Sequence, residues 1–584
     1  MTYKDTVGKI GSNTKWKSSF DVEPTLEQYL ALACDGDRKP AIKKIMPTIS
    51  SMYDVIFYEN CKGNMFNALK RQALEVTQPE TNWVDSFYDW FEGIFRGEIL
   101  PLIQDFEYCY EGWFNGLTNK QQAELLKVDT SNQENLKNKY YTMFCKCEKQ
   151  MADGLPNKYP KNRCICGPNA EYKYVMGPIV HRLETIFTNF KGYCGGKNWS
   201  EMESLLNKWY KQGYTKVIEG DGSGFDRTQH TLLKDVERTI YRHLLQEGKI
   251  HHVDEDVFAY HSETDTVKIK SKSFMKNGKY TELQDYGHIE ITGTVLSGSM
   301  DTTFANTLRM ALYNRFVLEK VMGLSAEQYQ VIAKGDDFAV FVNDSIMDEE
   351  ITDAYYKVFS NKTTRTHGLG QILKFVRIAS YATMDFCCTE AFNCTKCGWK
   401  IVRQLPRFLT LTPYSSKVLA LSKDEEMHYK HQLFMSNLKW MDGLPVFTEY
   451  NNQLMHKVFN YKVKTKTGKQ KMYLNVPKKY QHLYVKTSKQ IYKEELIEIF
   501  GKDAAYSMAD RTSDKCEQCV EGYYKHLQYY YNLSRQEVNT IQRDLSRVNY
   551  NYDYSIDVIN IREACDYRKN YVANYDVDSS NYIH

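Results

Sequence analysis

The stretch Val331-Ile332-Ala333-Lys334-Gly335-Asp336-Asp337-Phe338-Ala339-Val340-Phe341-Val342 places an acidic turn between two apolar runs. It reads as a strand, a tight turn and a second strand. Adjacent carboxylates at a hairpin tip repel each other. They are tolerated most easily when a cation sits between them and a further acid. A solvated surface turn is the plain alternative, since Asp and Gly both favour turns. The reading therefore depends on whether other parts of a metal site lie upstream.

Lys216-Val217-Ile218-Glu219-Gly220-Asp221 reads as a short strand ending in an acid, with Asp226 following after Gly222-Ser223-Gly224-Phe225. The glycines let the chain turn so that Asp226 returns toward the cavity that Asp221 faces. Mg²⁺ takes one or two carboxylates plus substrate phosphates, and a pair of such ions can clamp the attacking and leaving oxygens of a phosphoryl displacement. Asp221 and Asp336 are the metal-ligand candidates, with Asp337 beside them, and Asp226 is placed to meet a ribose. Taken alone, this segment is as well read as a strand and loop.

Ser297-Gly298-Ser299-Met300-Asp301 opens a helical pattern with Phe304, Leu308, Leu312 and Phe316 on one face. Thr302 and Asn306, also four apart, share another face. Read as an exposed stripe, that face suits a ribose 2′-OH, which both donates and accepts. An N-capped amphipathic helix is the alternative.

The order D-x4-D, SG-x3-T-x3-N, GDD resembles motifs A, B and C of the RNA-dependent RNA polymerases of positive-strand RNA viruses. Roughly seventy residues separate A from B and roughly forty separate B from C. The tombusvirus-like and nodavirus-like groups are the nearest in flavour, and the flavivirus-like polymerases are more distant. The resemblance spans residues near 158 to 410. It implies an α+β right-hand polymerase with fingers, palm and thumb, in which Asp221, Asp336 and Asp337 hold Mg²⁺ (or Mn²⁺) and Asp226, Thr302 and Asn306 check the ribose. Ser297 and Gly298 form a mobile loop beneath the template–nucleotide pair. The stretch with Lys158, Lys161 and Arg163 resembles motif F, whose cations hold the triphosphate and neutralise the leaving pyrophosphate. Arg182 and Glu184 follow it. The tombusvirus-like pattern has a second Arg where this chain reads Cys164-Ile165-Cys166-Gly167-Pro168-Asn169, and Lys173 is the substitute. Lys374, in a motif D-like segment, is the candidate general acid, with Lys362 a competitor. Met384-Asp385-Phe386-Cys387-Cys388 resembles the motif E hairpin, which grips the growing 3′ end.

A chain of 584 residues is long enough for several subdomains, and 42% hydrophobic with 26% charged residues is a globular composition. The net charge of +3 does not by itself announce nucleic acid. Its distribution is more telling, because residues 450–493 carry eleven Lys and neither Arg nor acid, with six Tyr interleaved. Lys462, Lys464 and Lys466 belong to an expected hairpin arm that could touch RNA through phosphate contacts, with the Tyr stacking on bases. A Lys-decorated edge that discourages aggregation is the alternative. No stretch approaches the ~18–20 apolar residues of a membrane span. The resemblance implies RNA template and product, nucleoside triphosphates, and viral or host replication proteins as partners. It also implies the host cytoplasm, with membrane-bound replication complexes reached only through partners.

The resemblance puts the N-terminal region and fingers at 1–204, palm at 205–240, a fingers insertion at 241–289, palm again at 290–400, and thumb with the C-terminal tail at 401–584. In the insertion, His251-His252 followed by Asp254-Glu255-Asp256 reads as a solvated loop. Among fifteen cysteines, Cys394/Cys397 and Cys516/Cys519 are C-x2-C pairs that could complete a structural Zn²⁺ site. Free, partly buried thiols are the alternative. Two other functions share features with this reading. A reverse transcriptase would share the metal acids, and a non-catalytic RNA-binding subunit would share the Lys–Tyr stretch.

Overall fold

A computed structural model describes residues 77–146, 148–152, 163–271, 288–359, 367–419 and 516–547, with shorter pieces between 14 and 57, 274 and 281, 421 and 472, and at 555–556. Along the chain the elements that position the site are β1 (Cys164–Pro168), α1 (Ala170–Ile186), β2 (Lys216–Gly222), α2 (Thr302–Phe316), β3 (Tyr329–Lys334), β4 (Asp337–Val342), β5 (Leu373–Ser380), β6 (Thr389–Cys394), β7 (Gly398–Arg403) and α3 (Glu517–Tyr531).

The central sheet is antiparallel, in the order β3-β4-β2-β5. The expected hairpin is its first half. Lys334 pairs with Asp337 across a two-residue turn, and Gly335 takes φ 65° at the first turn position, which a side chain would resist. β4 is a nearly continuous apolar run because both faces are covered; Phe338, Val340 and Phe341 are buried, as are Val217 and Ile218 of β2.

Helix α2 is the buried pillar behind this sheet, and every residue from Phe304 to Phe316 is shielded from solvent. The expected apolar face holds. The expected exposed stripe does not: Asn306 is only 2% exposed. A buried polar group needs a partner, and the polar residues of α2 have them. Arg315 forms a two-pronged pair with Glu98 at 2.7 and 2.6 Å. Asn314 accepts from the Tyr355 hydroxyl at 2.6 Å, and Thr307 accepts from the Gly335 N–H at 3.0 Å. The aromatic cluster of residues 83–91 is core, as its clustering suggests. Phe87 packs on Tyr313 and Phe316 of α2 at 5.6 and 5.4 Å between ring centres.

A five-stranded sheet lies to one side, with strands in the order 14–17, 288–292, 266–271, 141–145, 164–168, so that β1 is an edge. The His-acid run at 251–256 is a solvated loop only in part: residues 251–254 are loop, with His251 and Asp254 exposed, and a helix begins at Glu255. Glu255 and Asp256 form the first turn of the helix Glu255–Glu263, where the helix dipole favours acids. His252 stacks on Tyr108 at 4.2 Å and bonds the Val175 carbonyl at 3.1 Å, and burial pulls its pKa down to about 4. A second core joins the β6–β7 hairpin to α3 and the helix Arg535–Arg547. The expected Lys-rich hairpin is also formed, Lys462–Lys464 pairing antiparallel with Gln470–Met472. The side chains of Lys462 and Lys464, and all of Lys158, Lys161, Lys362 and Lys466, lie outside the described residues. Among the described residues, no helix is long and apolar enough to cross a membrane.

Candidate functional site

The three acids converge at one end of the central sheet. Register places Asp337 of β4 directly opposite Asp221 of β2, so the two side chains leave the same face as cross-strand neighbours. Asp336 follows Gly335 in the turn beside them. Asp337 is therefore as close to Asp221 as sheet geometry allows, and it carries the clearest electrostatic signature of the site. Burial first, then the charges of Asp336 and Asp221, push its pKa up to about 7. The Cys387 thiol bonds to it and works the other way. Crowded carboxylates held in partial burial form an oxygen donor set suited to Mg²⁺ or Mn²⁺, since a cation would offset the repulsion between them.

Lys374 reaches the same acids through an irregularity in β5. Leu373 pairs with Gly222 and Val376 with Gly220, so Lys374 and Phe375 together oppose the single residue Asp221. Such a bulge re-aims side chains. Here the Lys374 ammonium donates to the Asp221 carboxylate.

Two residues before Asp221, on the same face of β2, Glu219 is buried and ion-paired with Arg377, its register partner on β5. Its second oxygen accepts from the Asp385 N–H at 2.7 Å. Burial pushes Glu219 up to about 7 against the pull of Arg377.

A cavity of ≈ 140 Å³ opens beside the acids, lined by Asp226, Asp336, Ser297, Lys146, Arg163 and Arg227 among others. Asp226 sits in the short helix that follows the left-handed Gly224, φ 63°. The Asn306 amide donates to its carboxylate at 2.6 Å. Asn306 is fixed in turn, because its carbonyl accepts from Arg309 at 2.8 Å and Arg309 pairs with Glu237 at 3.0 Å, all of it buried. The Glu237–Arg309–Asn306–Asp226 chain sets which way the Asn306 amide points.

Of the remaining expected residues, Arg163 and Ser297 line the cavity. The 297–298 loop lies against β1. The Cys166 N–H donates to the Ser297 carbonyl at 2.7 Å, and a Cβ on Gly298 would come within 2.9 Å of Ile165. Thr302 gives its hydroxyl proton to the Leu296 carbonyl at 2.9 Å, which closes the loop onto α2. Lys173 is not among the residues that line the cavity; it lies in α1 and pairs with Glu124 at 3.2 Å. Lys146 and Arg227 line it instead, and sequence reasoning missed both. Arg227 directly follows Asp226, which was an available signal. Lys146 stands between Cys145 and Cys147, with no motif to single it out. Away from this site, Cys394, Cys397, Cys516 and Cys519 come together with all four Sγ atoms within 4.8 Å of one another.

Acids on a hairpin tip and its neighbouring strand, beside a cavity lined with cations, make a site for metal-assisted chemistry on phosphates. Residues 116–363 match the family described as viral RNA-dependent RNA polymerase. The match supports a viral polymerase, and the protein is an RNA-directed RNA polymerase, a nucleotidyltransferase. No curated protein matches it.

Proposed function

We propose that this polymerase copies the genome of a positive-strand RNA virus, adding nucleotides to an RNA 3′-OH by a two-metal mechanism. The observation that carries the reading is that Asp221 and Asp337 face each other across two strands, with Asp336 in the adjoining turn lining the cation-lined cavity. Asp221, Asp336 and Asp337 are the residues that would hold Mg²⁺ or Mn²⁺, and the ions, when bound, supply charge stabilisation to the attacking and leaving oxygens. Arg163, with Lys146 and Arg227, binds the triphosphate and offsets charge gathering on the pyrophosphate. Lys374 Nζ, already hydrogen-bonded to Asp221, gives its proton to the departing pyrophosphate oxygen.

Asp226 meets the ribose 2′-OH, and Asn306 is a positioning residue that aims the Asp226 carboxylate. Asp226→Ala is expected to narrow the preference for ribonucleotides over deoxyribonucleotides by about 10–100-fold, the worth of one hydrogen bond to a charged group. Asn306→Ala should give a smaller loss in the same direction. Single-nucleotide incorporation with paired ribo- and deoxyribonucleotide substrates measures both. An unchanged ratio in Asp226→Ala would remove the residue from ribose selection.

The central sheet with α2 forms the palm, 205–240 and 290–400. Fingers occupy 1–204 with the 241–289 insertion, and the thumb begins at 401. The motif pattern favours a tombusvirus-like or nodavirus-like polymerase. It would work with viral or host replication proteins in the host cytoplasm, at membranes through those partners. The Lys-rich hairpin of the thumb faces RNA in this reading.

The test is nucleotide incorporation on a primed RNA template with Mg²⁺ or Mn²⁺, beside Asp336→Ala. Incorporation of ribonucleotides by the parent chain and its loss in the variant supports the reading. Equal incorporation by both refutes the metal role of Asp336.

A further inference from the structure

We propose that Cys394, Cys397, Cys516 and Cys519 bind one Zn²⁺ as a tetrathiolate that fastens α3 to the β6–β7 hairpin. The proposal stands apart from the catalytic reading, and the four residues lie beyond the matched region 116–363.

Geometry is the first support. In a tetrahedral site with Zn–S about 2.3 Å, neighbouring sulfurs stand about 3.8 Å apart. Here Cys516 Sγ lies 3.6 Å from Cys394 Sγ, 3.6 Å from Cys397 Sγ and 3.8 Å from Cys519 Sγ, with all four within 4.8 Å. Four sulfurs from two segments more than a hundred residues apart thus form a cluster of about the size the ion requires.

Local structure is the second. Cys394 ends β6 and Gly398 begins β7, so the first pair brackets the hairpin tip. The Cys397 N–H donates to Cys394 Sγ at 3.3 Å. Gly398 takes φ 76°, which lets the chain leave the turn where another residue would be strained. The second pair sits at the start of α3, with Cys516 at its N-cap and Cys519 in its first turn. A helix N-terminus favours the anionic thiolates that a metal needs. The surrounding sequence also suits a tetrathiolate site of net charge about −2. Residues 391–420 carry five Lys or Arg and no acid, and Lys396 lies in the turn itself.

The contact that the ion would secure is already close. A Cβ on Gly522 of α3 would collide with the Asn393 carbonyl of β6. Phe392 meets Tyr523 at 5.3 Å, and Glu390 accepts from His526 Nε2 at 2.9 Å and from the Tyr531 hydroxyl. The chain just before β6 reaches the catalytic end, where the Cys387 thiol bonds Asp337. The zinc would therefore anchor the far end of a hairpin whose near end touches the acids. Tetrahedral all-sulfur coordination selects zinc or iron, and zinc is the commitment here.

Elemental analysis of the purified full chain, after gel filtration in metal-free buffer, is expected to find about one zinc per chain. C394S/C397S is expected to keep under a tenth of it, while C109S, at an exposed cysteine outside the cluster, keeps it all. A readout on the unmutated protein guards against a variant that fails to fold. Titration with a mercurial in the presence of a chromogenic zinc chelator should release the zinc in step with modification of four thiols. Exchange with Co²⁺ should give the visible absorption of a tetrahedral tetrathiolate. A parent chain expressed with added zinc yet holding none, one holding iron instead, or a folded C394S/C397S that retains zinc would each overturn the proposal.

Discussion

Asp337→Asn is expected to abolish incorporation and, in the same molecule, to raise stability. The two effects share one cause. Asp337 is buried beside Asp336 and Asp221, and its carboxyl is pushed up to about 7. An unfolded Asp releases its proton near 3.8. Between those values the folded chain binds the proton and the unfolded chain does not. The stability contributed by the neutral form is therefore full below 3.8 and is lost as pH rises through about 7. Asparagine has no charge to bury, so at pH 8 in a chelator the variant should be more stable by up to about 4 kcal/mol, and by nothing measurable near pH 4. Urea unfolding of both proteins at the two pH values measures this, and the difference between them cancels other titrating groups such as Glu219. Added Mg²⁺ should stabilise the parent and leave the variant nearly unmoved. Incorporation should fall about 10³-fold or more, since several kcal/mol of charge stabilisation is removed. A variant less stable than the parent at pH 8 would show that Asp337 is held by favourable contacts rather than strained by its neighbours.

Much of this site was legible because it is written in local patterns. Two apolar runs around Gly335-Asp336-Asp337 specify a hairpin whatever surrounds them, since period, turn residue and length agree. The apolar face of α2 was equally plain. Its polar face was misjudged for a physical reason: spacing shows that Thr302 and Asn306 share a face, but not whether that face meets water. Arg309 settles it, and its partner Glu237 lies 72 residues away. The same limit explains Lys173. Its neighbours in sequence suggest a phosphate ligand, yet the side of α1 it occupies faces Glu124. The helix at Glu255 was within reach, because acids after a turn are a start signal. The four cysteines were visible as two pairs that could share an ion, but spacing did not choose that over free thiols, because their meeting depends on α3 docking against β6.

The spacing of Asp221 and Lys374 is expected to depend on a pair that no motif reveals. Arg377 and Glu219 are 158 residues apart and form a buried ion pair at the β2–β5 seam, with side chains 7% and 2% exposed. Two opposed terms act on such a pair. Desolvation penalises both charges, and their mutual attraction roughly offsets it. Removing one partner leaves the other charge buried alone, which costs about 3–5 kcal/mol, whereas replacing both by apolar groups is often near neutral. Arg377→Leu is therefore expected to destabilise by that amount at pH 8, and by less at pH 5. Without the guanidinium, the Glu219 carboxyl, already raised to about 7, moves higher still and is neutral in acid. The double variant Glu219→Leu/Arg377→Leu should recover most of the stability. Its activity should not recover with it. The pair lies next to the bulge that sets Lys374 on Asp221, and Glu219 also holds the Asp385 N–H. An apolar seam keeps the strands together without fixing that geometry. Denaturant unfolding and incorporation rates on the three proteins separate these effects. A double variant with full activity would show that the pair only fills the seam, and that the bulge alone aims Lys374.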